Sequence, residues 1–472
     1  MYKKGTGFPK ESYEGVIVGK NVKTGFAYRR TTEGVSDFDL AKITASEALK
    51  KFGGESFSLA LVYSAYEYNP KEVAAGINAG FLASATINRK VPRIQEFSLG
   101  EMKKYPTAID RNFPWIGCTT SGEITSAGLF EDSIVVAIIS SPYIKFGVGV
   151  GKNVSETDTD AGKAALNMAL GSLTAKGGAL KEGTNYILMH GSVGGEEGVM
   201  RGIQEEFGNI PVVGGTAGNA LTENPSYVFV NGKAYTDAVV LGLISSEVFM
   251  VIDSGHGWKP TGKVGLVTKA APPENRKQTL WHKVYTINNQ PAAEWYAEQI
   301  SELKGSEIFV EAIKQYYPFV TFGGASGLGG TGYPIGIKDP QGRIWTRDIH
   351  SVEEDGSLTF WSYIPEGIGL QVLEGTPDTL TDKSEADAKD LFDKYEKFKP
   401  VIMFDYNSVG RKIYLSKVNK LREEYRNIQK FTKRMPIVGF YTHGEQVRSG
   451  GLNQHCNLTI TRLLITDTLV TT

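Results

Sequence analysis

Four short segments of the chain carry glycines and small hydroxyl residues directly after a proline and two apolar residues. They are Phe113–Glu123, Ile210–Asn219, Tyr317–Gly327 and Met435–Glu445. A buried strand that ends in glycines lets other groups approach its backbone closely, because glycine has no side chain and tolerates positive φ. In open α/β sheets, ligands bind at the carboxyl ends of strands. The four segments therefore predict a small-molecule site.

Hydroxyl and carboxyl side chains in these segments could hold a polar ligand. The hydroxyls belong to Thr119, Thr120, Ser121, Thr216, Ser326 and Thr442. Glu123 and Glu445 follow a glycine in the first and last segments alone, and their carboxylates suit a cationic group such as an ammonium. This asymmetry favours a site at the outer two segments. The alternative is that the glycines only form turns between sheet layers.

Two other segments are similar to known functional loops. His190–Gly194 has the spacing of a nucleophile elbow around Ser192, but His190 replaces the first glycine and no triad order is evident. We interpret it as a helix start whose free N–H groups could receive a carboxylate or phosphate. Gly257–Val264 has the spacing of a P-loop, yet Val264 replaces the Ser or Thr that would hold magnesium.

Cysteine and histidine positions limit the chemistry further. Cys118, in the first segment, would be a nucleophile only beside a base, and a packing role is the alternative. The six histidines never form the i, i+4 pairs of a helical zinc site, so the sequence predicts no bound metal. His443 lies in the fourth segment, and His455 precedes Cys456 just beyond it. A cofactor with a single axial ligand would be expected there first.

The same order of elements flanks each segment. The helices predicted before the segments are Lys71–Ala85, Gly194–Phe207, Ala292–Tyr316 with an interruption near Gly305, and Arg411–Phe431. A β-rich run follows each segment, and a strand precedes the helix in at least three copies. We predict an α/β fold with mixed, partly parallel sheets and covering helices. It would consist of about four β-α-β-α-β-β units arranged as two halves, the third copy being the most divergent.

The domain organisation follows from the strongest break, the polar and proline-bearing stretch Lys269–Lys283. We predict a first domain of two units before this connector and a second domain of two units after it. The expected boundaries are an N-terminal extension at 1–30, domains at 31–268 and 284–466, the connector at 269–283 and a C-terminal tail at 467–472.

Composition excludes several classes of protein. The 472 residues are 41% hydrophobic and 22% charged, which is typical of globular proteins rather than disordered chains. Lys and Arg total 51 against 52 Asp and Glu, so no global field favours nucleic acid or an anionic membrane, and we expect neither as a partner. Two cysteines, no signal-peptide core and no apolar run of about 20 residues predict a cytoplasmic protein.

Several of these segments together resemble the FIST family of sensory domains. Ile116–Ile124 is similar to the family's Gly-x-Ser/Thr-Ser/Thr-x-Gly-Glu segment, and His190–Gly194 followed by Val212–Gly218 is similar to its second N-terminal segment. The segments that follow the family's C-terminal order are Pro334–Ile337, Arg347–Ile349, Asp355–Leu358, Ile364–Gly367 and Gly439–Glu445. The resemblance covers residues 30 to 466, so the two predicted domains would be FIST N-like and FIST C-like.

The resemblance implies that the chain senses a small ligand. Amino acids have been proposed as ligands of the family, and some members bind haem and respond to nitric oxide. The resemblance also implies a signalling partner, such as a histidine kinase or a cyclic-di-GMP enzyme. We recognise no output module in the sequence, so we expect the signal to pass through a separate protein.

We therefore predict a cytoplasmic sensory protein that binds a small ligand, with an amino acid as the candidate, and that uses no catalytic residue. Closure of the two halves around the ligand would change a partner surface. The expected ligand-binding residues are Thr119, Thr120, Ser121, Gly122, Glu123, Ser192, Gly214, Gly215, Thr216, Ser326, Arg347, Asp348, Thr442, His443, Gly444 and Glu445. The alternatives are a haem-binding nitric oxide sensor that uses His443 or His190, and an enzyme that uses Cys118 or Ser192.

Overall fold

The structure is a computed structural model that describes residues 12–85, 113–181, 184–222, 224–271, 282–315, 331–432 and 435–470. Its helices span Asp37–Phe52, Pro70–Ser84, Val154–Thr174, Glu196–Phe207, Ala292–Lys304, Val310–Lys314, Pro377–Tyr395, Val409–Lys417 and Leu421–Thr432, and Glu396–Phe398 is a short 3-10 helix. Among the helices in these ranges, none is long and apolar enough to cross a membrane.

The strands form four sheets. They are β1 (Ser12–Val18), β2 (Lys23–Arg30), β3 (Leu59–Ala65), β4 (Trp115–Thr120), β5 (Glu123–Thr125), β6 (Gly128–Phe130), β7 (Ser133–Ser140), β8 (Ile144–Lys152), β9 (Asn185–Gly191), β10 (Val212–Gly215), β11 (Val228–Val230), β12 (Lys233–Tyr235), β13 (Ala238–Ser246), β14 (Val248–Gly255), β15 (Lys259–Ala270), β16 (His282–Ile287), β17 (Gln290–Pro291), β18 (Ile335–Lys338), β19 (Ile344–Arg347), β20 (Ile349–Val352), β21 (Leu358–Phe360), β22 (Gly369–Glu374), β23 (Pro400–Ser408), β24 (Ile437–Thr442), β25 (Glu445–Ser449), β26 (Leu452–Cys456) and β27 (Ile460–Leu469).

Helix ends follow the local signals that the sequence offers. The Ser36 hydroxyl accepts from the Asp39 N–H at the start of the first helix, and Thr376 forms a capping box before Pro377–Tyr395. Gly305, with φ of 65°, ends Ala292–Lys304 and confirms the interruption predicted there. The helix predicted over Arg411–Phe431 is instead two helices, and Asn419 between them has φ of 61°.

Three groups of strands repeat one arrangement. In each group two strands run parallel, and an antiparallel strand pairs with the first of them. The first unit contains β3, β4 and β7, the second unit β9, β10 and β13, and the third unit β23, β24 and β27. Helices pack on the outer face of each unit, and the inner faces meet in one core. The predicted mixed α/β fold is therefore confirmed.

The described part of the third predicted copy is built differently from the other three. Its glycine segment, Tyr317–Gly327 with Ser326, lies outside the described residues. The neighbouring strands form the fourth sheet, in the order β19-β18-β22-β15-β16-β21-β20, and all their pairings are antiparallel. Three of the about four predicted units thus share one arrangement, and the third copy, predicted to be the most divergent, differs from them. In this sheet Asn288 and Asn289 adopt positive φ and close a two-residue hairpin between β16 and β17.

Each unit donates a hairpin to another unit. β5 follows β4 of the first unit but pairs with β24 of the third, and β25 follows β24 but pairs with β10 of the second. β11 follows β10 but pairs with β4, which closes the ring. The predicted arrangement as two halves is therefore not seen in these sheets, because strands from both sides of the predicted connector share three of the four. Long-range pairing of this kind leaves no mark on local sequence periodicity.

Candidate functional site

The three glycine segments that the structure describes meet at one junction. The Ser121 N–H donates to the Tyr441 carbonyl at 3.1 Å, and the Tyr441 N–H donates to the Gly122 carbonyl at 2.8 Å. The Thr216 N–H donates to the Gly444 carbonyl at 2.8 Å. The predicted residues Ser121, Gly122, Thr216 and Gly444 are thus brought together, but through backbone pairing that closes the junction.

Ser121 and His443 are the two predicted side chains that contact each other at this junction. Ser121 Oγ lies 3.1 Å from His443 Nε2, and it also accepts from the Ala220 N–H at 3.0 Å. Burial lowers the pKa of His443 to about 4, so its imidazole is neutral at physiological pH. Such a weak base would activate a serine poorly. The pair is therefore a hydrogen-bonded contact between the first and third units.

Glu123 is held by the chain's own donors. Its Oε1 accepts from the Thr120 hydroxyl, and its Oε2 accepts from both the N–H and the hydroxyl of Ser133, at 3.2 and 2.6 Å. Glu123 is fully buried, and burial raises the pKa of its carboxyl to about 7. In this structure the carboxylate is hydrogen-bonded within the protein rather than directed at an open site.

Glu445 repeats this arrangement in the third unit. Its Oε1 accepts from the Thr442 hydroxyl, while its Oε2 accepts from the N–H and hydroxyl of Thr459 at 3.0 and 2.6 Å. Burial raises the pKa of Glu445 to about 8. The two glutamates that the sequence singled out are therefore equivalent parts of the repeat, each linking the end of one strand to the next.

The predicted residues of the second unit are packed closely, within the unit and against the third unit. Ser192 Oγ donates to the Ala238 carbonyl at 3.1 Å and accepts from the Ala238 N–H at 3.0 Å. A Cβ at Gly215 would collide with the Thr442 side chain, and one at Gly214 with the Met189 carbonyl. Gly214 thus permits close packing within the second unit, and Gly215 permits close packing against the third unit.

Arg347 and Asp348 lie where the fourth sheet meets β26. The Arg347 guanidinium donates to three backbone carbonyls, those of Tyr363, Thr346 and His455, at 3.2, 3.0 and 3.0 Å. Asp348 is nine-tenths buried. Arg347 thus joins the fourth sheet to the third unit's hairpin.

Three rings from equivalent positions of the three units meet in the central core, a cluster that sequence analysis missed. Tyr63 on β3 and Tyr406 on β23 share a hydroxyl contact of 3.0 Å, and both rings lie within 5.7 Å of the His190 ring on β9. Burial lowers the pKa of His190 to about 4. Aligning the sequences of β3, β9 and β23 would have placed these three residues at one position. In each unit, the residue before the ring opposes a glycine of the neighbouring parallel strand.

The candidate haem ligands do not fit a haem in this arrangement. His190 is enclosed by Tyr63, Tyr406 and Phe440, so a porphyrin could not reach its unpartnered Nε2. His443 Nε2 is hydrogen-bonded to the Ser121 side chain, and the enclosed His443 ring, whose Nδ1 is buried, lies 6.0 Å from the Trp361 ring. No group of three or more His, Cys, Asp or Glu side chains within the described ranges is arranged to hold a metal ion.

Cys118, the other candidate nucleophile, faces the central core. Its side chain is fully buried, and burial raises the pKa of its thiol well above the usual value. The thiolate needed for nucleophilic attack is therefore strongly disfavoured. Neither Cys118 nor Ser192 has a side-chain base among its hydrogen-bond partners in the described residues.

An open pocket of about 590 Å³ lies between the third unit and the fourth sheet. Its lining comes from four stretches of chain: Ser254, Gly255, His256, Gly257, Trp258, Lys259, Arg343, Ile344, Trp345, Thr379, Asp382, Lys383, Ala386, Val447, Ser449, Cys456 and Thr459. None of the predicted site residues that the structure describes lines it. The one signal in the sequence was the glycine-rich Gly257–Val264, whose first three residues form part of the wall.

The pocket combines apolar walls with charges of both signs. Trp258 and Trp345 are almost fully buried, and the Arg343 guanidinium lies 5.8 Å from the Trp345 ring. Asp382 and Lys383 are adjacent on the helix that forms one side. A volume of this size, lined by two tryptophans and by many polar side chains, suits a small polar organic molecule.

His256 contributes a neutral imidazole to the pocket. Burial, assisted by the positive charges of Arg411 and Lys383, lowers its pKa to about 4. His256 Nδ1 accepts from the Trp258 N–H at 3.0 Å, which fixes the turn at the pocket floor. Arg411 donates to the His256 carbonyl at 2.6 Å from below. The floor is thus held by the His256 ring within the pocket and by the Arg411 side chain outside it.

Together, the three repeated units and the fourth sheet define a mixed α/β protein with an open pocket. The FIST N domain matches residues 103–289 and the FIST C domain matches residues 293–448, so the chain belongs to the FIST family. FIST domains are sensory domains, which associates the chain with signalling and small-ligand binding.

Individual relatives add little to this assignment. The uncharacterized protein MJ1623 of Methanocaldococcus jannaschii is 23% identical over 371 residues, which span 74% of this chain and 67% of that protein. A solved structure of cyanuric acid hydrolase from A. caulinodans is similar over 48% of this chain and 71% of its own, with 9% identity and a TM-score of 0.26. Similarity at that level carries no inference about activity.

Proposed function

We propose that the chain is a cytoplasmic sensory protein that binds a small polar ligand, an amino acid being the candidate, and signals through a separate partner. Membership of the FIST family supports the sensory role. The observation that carries the ligand-binding role is the 590 Å³ pocket between the third unit and the fourth sheet. A histidine kinase or a cyclic-di-GMP enzyme would be a suitable class of partner.

The position of the pocket explains how binding could become a signal. Its walls belong to the turn after β14, the helix Pro377–Tyr395, β19 and the hairpin β25–β26. A ligand that contacts all four would stabilise one relative placement of the third unit and the fourth sheet. Ligands shift conformational populations by such differential contacts.

The charges around the pocket support a zwitterionic ligand. Lys259 and Asp382 are exposed at the pocket and could meet a carboxylate and an ammonium. Lys383, by contrast, is paired with Asp387. Trp258 and Trp345 would contact an apolar side chain.

The experiment is a thermal-shift screen of the twenty amino acids, followed by calorimetry for any that raise the unfolding temperature. A ligand that binds only the native state stabilises it according to its concentration and Kd. Ala386→Trp fills the pocket and should abolish the shift. Ala164→Trp is the matched control, because Ala164 is an exposed alanine on the remote helix Val154–Thr174 and its replacement should leave binding intact.

Two results would contradict the proposal. The first is no shift with any amino acid at millimolar concentration. The second is binding that Ala386→Trp and Ala164→Trp leave equally strong, which would place the ligand elsewhere.

A further inference from the structure

The third unit has a charged layer between its sheet and its covering helices, where the first two units are apolar. Asp405 on β23 directly opposes Arg462 on β27. At the equivalent positions, the opposed residues of the first unit are Val62 and Val136, and those of the second unit are Met189 and Leu241. The equivalence rests on the parallel partner, since Val62, Met189 and Asp405 oppose Gly117, Gly214 and Gly439.

The charged layer is a network of two hydrogen-bonded groups rather than one ion pair. Arg462 Nε donates to Asp405 Oδ2 at 3.2 Å, and Arg462 Nη1 lies 3.5 Å from Asp253 Oδ2. Beside them, Asn407 Nδ2 donates to Glu424 Oε2 at 3.1 Å, and Arg411 pairs with Glu424.

The network reaches both covering helices and the pocket floor. Glu424 belongs to the helix Leu421–Thr432, and its Oε1 accepts from the Ser384 hydroxyl of Pro377–Tyr395 at 2.9 Å. Arg411 donates at the same time to Ser384 Oγ, at 3.0 Å, and to the His256 carbonyl of the pocket floor.

Four polar atoms of this layer have no hydrogen-bond partner within the part of the chain that the structure describes. Two are acceptors, Asp405 Oδ1 and Asn407 Oδ1, and two are donors, Arg411 Nε and Arg462 Nη2. All four side chains are at least 98% buried. Leaving a buried polar group unpaired costs about 1–3 kcal/mol, more for a charged one, so such groups in a native protein call for a partner.

The mixture of donors and acceptors restricts what that partner is. An anion would meet the oxygens of Asp405 and Asn407, and a cation would meet the guanidinium groups of Arg411 and Arg462. A molecule that both donates and accepts satisfies all four atoms, and water is the smallest such molecule. Buried waters in proteins make about three hydrogen bonds to groups of this kind.

We propose that the charged layer of the third unit is an internal water site that bridges Asp405 and Asn407 to Arg411 and Arg462. The apolar layers of the first two units offer no such atoms and serve as dry counterparts within the same chain. Because Arg411 also holds the His256 carbonyl, the water site adjoins the floor of the pocket.

The first test is a crystal structure of the full chain at a resolution that shows ordered solvent. We expect at least one water within hydrogen-bond distance of Arg411 Nε or Arg462 Nη2 and of Asp405 Oδ1 or Asn407 Oδ1. Absence of density there, or density too large for water, would overturn the proposal. This test needs no variant and so does not depend on any substitution folding.

The second test counts long-lived internal waters in solution by oxygen-17 relaxation dispersion. Replacing the pair by its first-unit counterparts, Asp405→Val with Arg462→Val, should lower the count by at least one. Lys389→Ala with Asp393→Ala removes an exposed ion pair of the same helix layer and should leave the count unchanged. An equal count in the wild type and the valine variant would contradict the water site.

Discussion

The first and third units share a fold, but they differ in what they bury between the sheet and its covering helices. The first unit buries apolar side chains there, and the third buries charged ones. In the first unit, Val62 and Val136 lie in an apolar cluster with the helices Asp37–Phe52 and Pro70–Ser84. In the third unit, Asp405 and Arg462 occupy the corresponding positions and are fully buried. A repeat that folds with valines at these positions does not need the charges in order to fold. The charged layer therefore serves something other than formation of the sheet.

The largest expected effect comes from leaving one charge of this layer unpaired. Arg411→Met removes the partner of Glu424, and both side chains are 99% buried. Breaking a buried pair by removing one member costs about 3–5 kcal/mol, because the other charge stays desolvated. The free energy of unfolding, measured by urea denaturation, should fall by about that amount.

The control for this variant is an exposed pair that also involves the helix Leu421–Thr432, in this case with Pro377–Tyr395. Lys430 contacts Glu385, and both side chains are at least one third exposed. Lys430→Met should cost less than about 1 kcal/mol. Equal losses in Arg411→Met and Lys430→Met would mean that the charged layer is not desolvated as the structure shows.

A second effect concerns the glutamates that the first and third units share. Burial raises the pKa of Glu445 to about 8 and that of Glu123 to about 7, from 4.5 in the unfolded chain. A raised pKa means that the native state holds the proton more tightly, so the stabilisation is complete below pH 4.5 and is lost as the pH rises through 7 to 8. The unfolding temperature should therefore fall by a few degrees between pH 6.5 and pH 8.5.

Glu445→Gln tests this assignment, because an amide does not titrate. The fall in unfolding temperature between pH 6.5 and pH 8.5 should become shallower in this variant, and less so in Glu123→Gln. The exposed Glu385→Gln is the control and should keep the wild-type slope. The pH range avoids the buried histidines, whose lowered pKa makes them destabilising only below pH 6.5. An unchanged slope in Glu445→Gln would refute the assignment.

A third effect should be the same in all the units, because it depends on a feature that they share. A Cβ at Gly117 or Gly439 would collide with the carbonyl oxygen of the residue opposite, Val62 or Asp405. Overpacking of this kind costs about 1–3 kcal/mol. Gly117→Ala and Gly439→Ala should therefore lower the free energy of unfolding alike, whereas Gly171→Ala, on an open helix face, should not lower it. A loss confined to one unit would show that the repeat is not equivalent at its strand ends.

These comparisons also show what the sequence could predict. The glycine segments and their flanking helices repeat along the chain, so the mixed α/β fold followed from local patterns. The exchange of hairpins between units could not be predicted in this way. The sequence of β5 would be the same whether the strand paired with β24 or with β4, so local patterns do not reveal its partner. The pocket was missed for a related reason, since its lining comes from stretches as far apart as Ser254 and Thr459.

The sequence does contain a signal for the charged layer, although local hydrophobic periodicity does not reveal it. Asp405 and Arg462 interrupt two apolar strands at positions that oppose each other once the units are aligned. The predicted residues Glu123 and Glu445 show the converse, because a Gly-Glu pair that suggests a binding site is held by hydroxyls of the fold. A polar residue in a repeat is therefore better interpreted after comparison with its equivalents than from its own segment.

The smallest change in stability is expected when both charges of the ion pair are removed together. Replacing both members of the ion pair, as Asp405→Val with Arg462→Val, removes the charges together and leaves neither unpaired. Exchange of a buried pair for well-packed apolar residues is often neutral or stabilising by about 1–4 kcal/mol. We expect the double variant to unfold at or above the urea midpoint of the wild type. Arg462→Val alone leaves the Asp405 carboxylate without its ion-pair partner, so this variant should unfold at a much lower urea concentration. A large loss of stability in the double variant would mean that the charges stabilise the third unit. The difference between this ion pair and the valines of the first unit would then reflect only how each core is packed.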